Sequence, residues 1–253
     1  MRILVTRPLP EGADVAQGLG QAGYRPLLSP VLEIMALPPS VPHGTFDAIL
    51  VTSARAFLAD WIPGLLAKHL GIPIYAAGSN TTGEAQKLES EAAISDSRVV
   101  FLSYDARGLA AMLVPRQPSC FLYLAGRDRK SYVETLLSNA GHCVVTIETY
   151  AALAVAEFKM RTLIAFHAGE IDAVMHYSRR SAEIFLDLAK NAGLTEKTLH
   201  LQHYCISDDT AEPLRAMGAL HVHVAAKPDA AGFYAMLPPP DRAVRYDSLA
   251  RKS

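Results

Sequence analysis

The 253-residue chain is half hydrophobic by composition and carries 24 basic against 25 acidic side chains, a formal net charge of −1. This length suits one large or two modest domains, and the charge balance argues against a general nucleic-acid binder, although it allows a local basic cleft. Three widely spaced cysteines, Cys120, Cys143 and Cys205, form no CxxC pattern, which predicts buried thiols of a reducing cytoplasm rather than a redox or metal site.

The N-terminal segment MRILVTRPLP does not have the features of a signal peptide. Its apolar run is too short, it ends in Thr-Arg-Pro, and no small-residue cleavage site follows. No stretch of the chain approaches the ~18 continuous apolar residues of a membrane span. We therefore expect a soluble, cytoplasmic protein that neither enters a membrane nor binds nucleic acid.

Short runs rich in aliphatic and β-branched residues alternate with segments of helical spacing along the chain. The predicted strands are Ile3–Thr6, Ala48–Thr52, Ile74–Ala77, Cys120–Leu124, Ala173–Tyr177 and His203–Ile206. The predicted helices include Ala13–Ala22, Ser131–Ala140, Ser181–Ala192 and Thr210–Met217, and a glycine follows each of them closely. Strand, loop, helix and strand in this order predict an α/β fold with parallel sheets.

Three pairs of segments recur in the same order, on the order of 120 to 130 residues apart. They are ILVTRP with FLYLAGR, FDAILVTSARAF with IDAVMHYSRRSAEIF, and IYAAGSN with HYCISDD. Generic similarity between strand–helix units is the alternative explanation for any single pair. Three collinear pairs indicate two similar α/β lobes.

Hydroxyl and cationic residues follow the predicted strands in both halves. In parallel sheets these positions lie beside helix N-termini, which accept carboxylates or phosphates. The corner residues are Thr6 with Arg7, Thr52 and Ser53 with Arg55, Ser79 with Thr81, Arg127 with Arg129, Ser178 with Arg179, and Ser207 with Thr210. Helix capping by a hydroxyl, or a solvated arginine, explains any one corner. Their recurrence in both halves predicts a cleft for an elongated polyanion.

Other catalytic or metal-binding motifs are lacking in the sequence. His221 and His223 would share one face of a strand, where a solvated edge is a better explanation than a metal pair. The carboxylates of SDDT, at positions 207 to 210, precede a helix and fit a capping role. We predict no metal site.

The chain resembles the uroporphyrinogen-III synthase family. The motifs that carry the resemblance are ILVTRP, DAILVTSARAF, LAGRDRKSYVETLLSNAGHCVVTIETY, DAVMHYSRRSAEIF and CISDDTAEPLRAMG followed by VAAKP, which cover most of residues 2 to 237. The resemblance implies a cyclising lyase of tetrapyrrole, haem-type biosynthesis. Such an enzyme closes hydroxymethylbilane, a linear tetrapyrrole, with loss of water and inversion of the last pyrrole ring. It implies a monomer that needs no cofactor and whose partner is this small-molecule substrate.

The resemblance also implies a particular domain organisation, in which two flavodoxin-like lobes with parallel sheets are joined by a two-stranded antiparallel linker. One lobe would contain residues 1–30 and 154–240, and the other residues 37–145. Residues 25–36 and 144–153 would be the linker strands, and we expect the charged tail, 241–253, which follows three prolines, to be disordered.

Tyr150 is the catalytic residue that the resemblance implies, because a phenol with a pKa near 10 is protonated at neutral pH and can assist departure of the hydroxyl group. A tyrosine that only packs one linker strand is the alternative. Substrate binding is expected from Thr6, Arg7, Ser53, Arg55, Thr81, Arg127, Ser178, Ser181, Ser207 and Thr210.

The third corner departs from the family pattern, which usually has Val-Gly-Pro before Thr-Ala, in both copies. The first copy reads Ala77-Gly78-Ser79-Asn80-Thr81 and the second Ile206-Ser207-Asp208-Asp209-Thr210, so in the second copy two carboxylates would lie close to a site for a polyanion. The competing function is a non-catalytic bilobal binding module for a small polyanion. Another is a different α/β enzyme, such as a flavodoxin-like or sugar-phosphate enzyme.

Overall fold

The computed structural model describes residues 1–39, 43–91 and 97–240. The tail expected to be disordered, 241–253, lies outside them. Among the described residues, no helix combines the length and the apolar character needed to cross a membrane.

Strands and helices alternate along most of the chain. The strands are β1 (Arg2–Val5), β2 (Arg25–Leu28), β3 (Leu32–Ala36), β4 (Ala48–Val51), β5 (Ile74–Ala77), β6 (Val99–Ser103), β7 (Cys120–Gly126), β8 (Cys143–Ala154), β9 (Ala173–His176), β10 (Gln202–Cys205) and β11 (His221–Val224). The helices are α1 (Glu11–Gln21), α2 (Ile62–Lys68), α3 (Ser79–Glu91), α4 (Ala106–Leu113), α5 (Tyr132–Asn139), α6 (Met160–His167), α7 (Arg179–Asn191), α8 (Thr195–Leu199), α9 (Asp208–Ala216) and α10 (Ala230–Met236), with a short 3-10 helix at Ala54–Phe57.

The chain divides into two compact units. The first unit contains Met1–Glu33 and the chain from Leu153 onward, and the second unit contains Ile34–Ala152. The chain therefore leaves the first unit within β3 and returns to it within β8. The first unit is discontinuous in sequence, whereas the second is continuous.

The first unit contains a parallel sheet in the order β2-β1-β9-β10-β11. Counted along this unit, the order is 2-1-3-4-5, the flavodoxin-like arrangement. Its inner strands β1 and β9 are almost fully buried because both faces of the sheet are covered there, as is usual in parallel sheets. Ile3 and Val5 pack with Leu19 of α1 and Phe233 of α10 in one core cluster.

The second unit has a sheet in the order β3-β8-β7-β4-β5-β6. The pairs β7–β8, β4–β7, β4–β5 and β5–β6 are parallel. Without β3, the order counted along this unit is 5-4-1-2-3. It becomes 2-1-3-4-5 when the count starts at β7, so β7 corresponds to β1 of the first unit. The repeated sequence segments thus occupy corresponding strands, β1 with β7, β9 with β4, and β10 with β5. The prediction of an α/β fold with two similar parallel sheets is confirmed.

Strand β3 lies beside β8 at the sheet edge, and the two strands run antiparallel. At one end of β3, the Val155 N–H donates to the Val31 carbonyl oxygen at 3.1 Å; beyond the other end, the Leu37 N–H donates to the Thr149 oxygen at 2.9 Å. As the residue number along β3 increases, the residue number of the hydrogen-bonded partner along β8 decreases, so the two strands are antiparallel.

Two buried histidines lie next to each other on β9 and β10 of the first unit. His203 Nε2 is 2.9 Å from the carbonyl oxygen of Thr198, so this nitrogen carries the proton and Nδ1 is an acceptor. His176 Nε2 lies 3.0 Å from His203 Nδ1 and therefore donates to it. Within the described residues, the buried Nδ1 of His176 has no hydrogen-bond partner. Burial lowers the pKa of His203 to about 4 and places that of His176 well below its usual value.

This pair predicts a loss of stability in mild acid. The folded-state pKa values are depressed, so the unfolded chain takes up protons first as the pH falls below ~6.5. The free energy of unfolding should then fall by at most about 1.4 kcal/mol per pH unit for each histidine, until the pH nears the folded pKa of about 4. Urea unfolding at pH 7, 6 and 5 measures this slope.

His203→Phe removes one of the two titrating groups and should make the slope shallower. His167→Gln is the matched control, because His167 is exposed at the end of α6 and should leave the slope unchanged. A wild-type slope in the His203→Phe variant would show that other groups cause the acid sensitivity.

Candidate active site

Three predicted corners of the first unit lie at one edge of its sheet. Thr6 follows β1, Ser178 lies two residues beyond β9, and Ser207 lies two residues beyond β10. Since β1, β9 and β10 are parallel neighbours, their carboxyl ends share this edge. The topology therefore brings these three corners together, as predicted from the sequence.

The hydroxyls at two of these corners cap helices. Ser178 Oγ accepts the Ser181 N–H at 3.1 Å, and the Ser178 N–H donates to Ser181 Oγ at 3.1 Å, which forms a reciprocal capping box. Ser207 Oγ accepts the Thr210 N–H at 3.3 Å and lies 3.0 Å from Thr210 Oγ1. Ser181 and Thr210 are buried, so their hydroxyls position Ser178 and Ser207 at the N-termini of α7 and α9.

Thr6 and Arg7 differ in environment although they are adjacent. Thr6 is fully buried, and its Oγ1 donates to the Met175 carbonyl oxygen at 2.7 Å, which ties β1 to β9. Arg7 is half-buried, with its guanidinium carbon 5.0 Å from the ring centroid of Tyr177. Burial raises the pKa of the Tyr177 phenol, so this ring stays neutral beneath the cation.

Arg7 lines a pocket of about 200 Å³ within the first unit. Its walls are largely apolar and include Val15, Ile206 and Phe233, and Asp229 also lines it. The Asp229 carboxylate accepts the Gly232 N–H at 2.7 Å and thereby caps α10. The pocket thus combines apolar walls, which suit a small ring, with the Arg7 cation, which suits an acidic substituent, and with a carboxylate that already accepts a backbone hydrogen bond.

The two carboxylates that depart from the family pattern are paired with arginines. Asp209 Oδ1 lies 3.6 Å from Arg179 Nη1, and Glu212 Oε2 lies 2.6 Å from Arg179 Nη2. Asp208 Oδ1 accepts from Arg215 Nη1 at 3.1 Å. Arg179 opens α7 and these carboxylates lie on α9, but Arg179 also pairs with Glu183 at 2.9 Å, so the exposed pairs offset only part of the local negative charge. The acidic residues are therefore not isolated negative charges beside the corner.

The second unit has corresponding corners after β4 and β5. Ser53 is the N-cap of the short 3-10 helix, and its Oγ accepts the Arg55 N–H at 3.3 Å. Ser53 and Arg55 are half-buried, and Thr81 is buried in the first turn of α3. Strands β4 and β5 are parallel neighbours, so these residues lie at the same sheet edge.

Arg127 and Tyr150 meet where the parallel pairing of β7 with β8 ends. The Arg127 N–H donates to the Tyr150 carbonyl oxygen at 2.8 Å, and Arg127 Nε donates to Glu148 Oε2 at 3.1 Å. Tyr150 is half-buried and packs against the core cluster of β4 and β7. Its ring lies over Gly126, where an added Cβ would be 2.6 Å from Tyr150 Cζ. Only glycine leaves room for the phenol in this position.

A hydroxyl pair beside Tyr150 was not predicted. Thr52 Oγ1 and Tyr123 Oη are 2.8 Å apart, and burial raises the pKa of the Tyr123 phenol. Arg129 donates to the Gly126 carbonyl oxygen at 2.9 Å and to Glu148 at 3.2 Å. Thr52 ends the predicted strand Ala48–Thr52 and Arg129 was already a predicted corner residue, whereas Tyr123 lies inside an apolar run that indicates only core packing.

No group of three or more potential metal ligands forms among the residues that the structure describes. His221 and His223 lie on the edge strand β11, and His223 Nε2 is 2.8 Å from Gln202 Oε1. The Gln202 side chain is therefore the hydrogen-bond partner of His223 Nε2.

Two parallel sheets of flavodoxin-like order, with capped helices and arginines at their carboxyl edges, define an α/β protein suited to anionic ligands. Comparison with known proteins specifies the family. The family model for uroporphyrinogen-III synthase HemD matches residues 13–235. The chain therefore belongs to the uroporphyrinogen-III synthase family, which consists of cyclising lyases of tetrapyrrole biosynthesis that act on hydroxymethylbilane.

Solved structures with this fold include the uroporphyrinogen-III synthetase of Helicobacter pylori 26695. It is 19% identical in sequence, the match covers 93% of this chain and 98% of that chain, and the TM-score is 0.58. A mutant uroporphyrinogen III synthase from Thermus thermophilus is 18% identical, with 97% and 99% coverage and a TM-score of 0.45. The search of curated proteins found no match. The alternative of a non-catalytic polyanion-binding module finds no support in these comparisons.

Proposed function

We propose that this chain carries out the family's cyclisation by holding the substrate carboxylates at the strand–helix corners, with Tyr150 as the acid that assists loss of water. The residues assigned to binding are Thr6, Arg7, Ser178, Ser181, Ser207 and Thr210 in the first unit and Ser53, Arg55, Thr81 and Arg127 in the second. Thr6, Ser181, Thr210 and Thr81 are buried, and we assign them to shaping the corners rather than to direct contact.

The arrangement of α7 and α9 in the first unit is the observation that carries this proposal. Both helices begin at the same sheet edge as the Arg7 pocket, and each is capped by a serine. A capping side chain satisfies one N–H group, while other N–H groups of the first turn and the positive end of the helix dipole favour a bound carboxylate. Anion binding at such corners does not require a strongly basic protein.

The reaction needs control of geometry more than chemical assistance. Loss of the hydroxyl from the first pyrrole gives an electrophilic methylene, which the last pyrrole attacks through its substituted carbon. The resulting spiro intermediate fragments and closes again with that ring inverted. Carboxylates held at several fixed corners keep the chain folded so that the substituted carbon is the nearest nucleophile. Such positioning contributes up to ~7–11 kcal/mol in favourable cases.

Tyr150 is suited to the acid role by its position and its chemistry. It lies on β8 opposite Gly126, where the parallel pairing of β7 with β8 ends, beside Arg127, and it is partly accessible to solvent. A phenol is protonated at neutral pH and can donate a hydrogen bond to the departing oxygen. Packing of its ring over Gly126 fixes the direction in which the hydroxyl points.

The direct test is the isomer of the product. Enzymatically generated hydroxymethylbilane, incubated with the purified chain and then oxidised, should give mainly the type III uroporphyrin on chromatography, with no metal or nucleotide added. Without the protein, head-to-tail closure gives the non-inverted isomer. A product mixture identical to that control, obtained with demonstrably folded protein, would contradict the proposal.

Arg7→Gln should weaken substrate binding. Loss of one charge-assisted hydrogen bond costs about 1.5–3 kcal/mol, which corresponds to a rise in KM of about 10- to 150-fold with a smaller change in kcat. Arg25→Gln is the control, because Arg25 is exposed and begins β2 at the opposite edge of the sheet. Equal KM values for the two variants would show that Arg7 does not contribute to substrate binding.

Three further expectations complete the proposal. We assign residues 1–30 with 154–240 and residues 37–145 to separate folding domains, with 25–36 and 144–153 as linkers. Limited proteolysis should then release a stable fragment close to 37–145.

We also expect a cytoplasmic monomer. Light scattering of the purified chain would test the oligomeric state, and cell fractionation would test the localisation.

A further inference from the structure

Two cysteines meet at the amino ends of neighbouring strands in the second unit. Cys120 begins β7, Cys143 begins β8, and the two are register partners in the parallel pair. Their Sγ atoms are 2.6 Å apart. Residues paired in this way bring their Cα atoms within the 4.4–6.8 Å range, roughly, that a disulfide requires, so a bond needs little backbone movement.

The exposure of these thiols differs from the prediction of buried cysteines. Cys143 is exposed and Cys120 is half-buried, and only Cys205 among the three is buried. The prediction was wrong for the first two because the amino ends of β7 and β8 lie at the sheet margin rather than in the core. Access from solvent is what a small oxidant requires, and the buried Cys205 provides an internal reference.

We propose that Cys120 and Cys143 form a reversible dithiol–disulfide site that takes small disulfides, such as oxidised glutathione, as its oxidant. In the first step, the Cys143 thiolate attacks one sulfur of the oxidant and releases one glutathione thiolate. The Cys120 sulfur then attacks Cys143 Sγ and releases the second. The balance is one protein dithiol and one oxidised glutathione giving one protein disulfide and two reduced glutathione molecules.

The order of attack follows from the environments of the two sulfurs. Burial, together with the hydrogen bond and the charge of Cys143, raises the pKa of Cys120 to about 11, which disfavours its thiolate. Cys143 is also the more exposed thiol. Cys143 is therefore the residue that meets the oxidant, and Cys120 is the residue that resolves the mixed disulfide.

The bond would join two strands without reaching the proposed active-site residues. Cys120 and Cys143 lie at the amino ends of β7 and β8, whereas Arg127 and Tyr150 lie near the carboxyl ends. The closed loop contains β7 and α5, so oxidation should stabilise the second unit by restricting its unfolded chain. Turnover should stay the same, which separates this proposal from the proposed function.

The test is equilibration of the purified full chain with reduced and oxidised glutathione over a range of ratios, followed by acid quenching. Thiols titrated in denaturant should fall from three to one on oxidation, and the peptides containing Cys120 and Cys143 should appear as one linked species. The thermal midpoint should rise, and reduced glutathione should reverse both changes. Cys205→Ser should form the same bond, and Cys143→Ser should not.

Three results would overturn the proposal. All thiols could remain titratable at every ratio, which would show that the pair does not exchange. Glutathione could stay attached to Cys143 without transfer to Cys120, which would show that the second sulfur cannot resolve the adduct. Linked peptides found only in covalent dimers on a non-reducing gel would show that the bond forms between chains.

Discussion

Tyr150→Phe is expected to lower kcat by about 10²–10⁴-fold while KM changes little, because loss of a general acid typically has an effect of this size. The phenyl ring still packs over Gly126 and the core cluster, so the thermal midpoint should be nearly unchanged. Steady-state kinetics with freshly generated hydroxymethylbilane measures both constants. A loss of turnover with intact stability would assign the effect to the hydroxyl group.

Two further variants separate chemistry from positioning. Gly126→Ala keeps the phenol but displaces its ring, because the added Cβ would lie 2.6 Å from Tyr150 Cζ, so it should also lower kcat. Thr210→Val removes a buried hydroxyl that supports Ser207, and it should raise KM more than it lowers kcat. Full turnover in Tyr150→Phe would make Tyr150 a packing residue and leave catalysis to substrate folding alone.

Among the substitutions considered, Glu89→Gln should lower the free energy of unfolding the most. Glu89 is buried in α3, and its carboxylate accepts Arg98 Nε at 2.9 Å, the Arg98 N–H at 3.1 Å and Ser97 Oγ at 2.9 Å. Removal of one partner from a buried ion pair costs about 3–5 kcal/mol, out of a total stability of about 5–15 kcal/mol. Urea unfolding at pH 7 measures the difference.

Lys87→Gln is the control for this measurement. Lys87 lies on the same helix, and its contacts with Glu84 and Glu91 are at 3.7 and 3.9 Å between exposed side chains. Exposed pairs of this kind contribute about 0–1 kcal/mol. If Glu89→Gln and Lys87→Gln had equal effects, the buried pair would contribute nothing beyond an ordinary surface pair.

The sequence predicted the strands that form the centre of each sheet. Continuous apolar runs such as Ala48–Val51 and Ala173–His176 are buried on both faces, so composition alone identifies them. The edge strand β6 was not predicted, because Val100 and Phe101 are exposed there and no buried face imposes a pattern. Strand pairing, rather than local sequence, gives such segments their conformation.

Local sequence likewise predicts only some of the contacts at the strand–helix corners. Ser178 and Ser207 follow strands and precede helices, so their capping role follows from local sequence. The burial of Thr6 against Met175 depends on which strand lies beside β1, and that strand comes from a distant part of the chain. The pairing of Asp209 with Arg179 likewise depends on α7 and α9 being neighbours.

Because the first unit is discontinuous in sequence, its strands cannot all pair until late in synthesis on the ribosome. The second unit is one continuous stretch, Ile34–Ala152, so it can complete its sheet before the rest of the chain emerges. Strand β1 is made first, yet its neighbour β9 begins only at Ala173. Until then, the apolar strand β1 has β2 alone as a partner, and a two-stranded piece is marginal in water. The N-terminal strand–helix–strand segment therefore cannot complete its sheet until β9 has been synthesised, whereas the second unit can fold earlier.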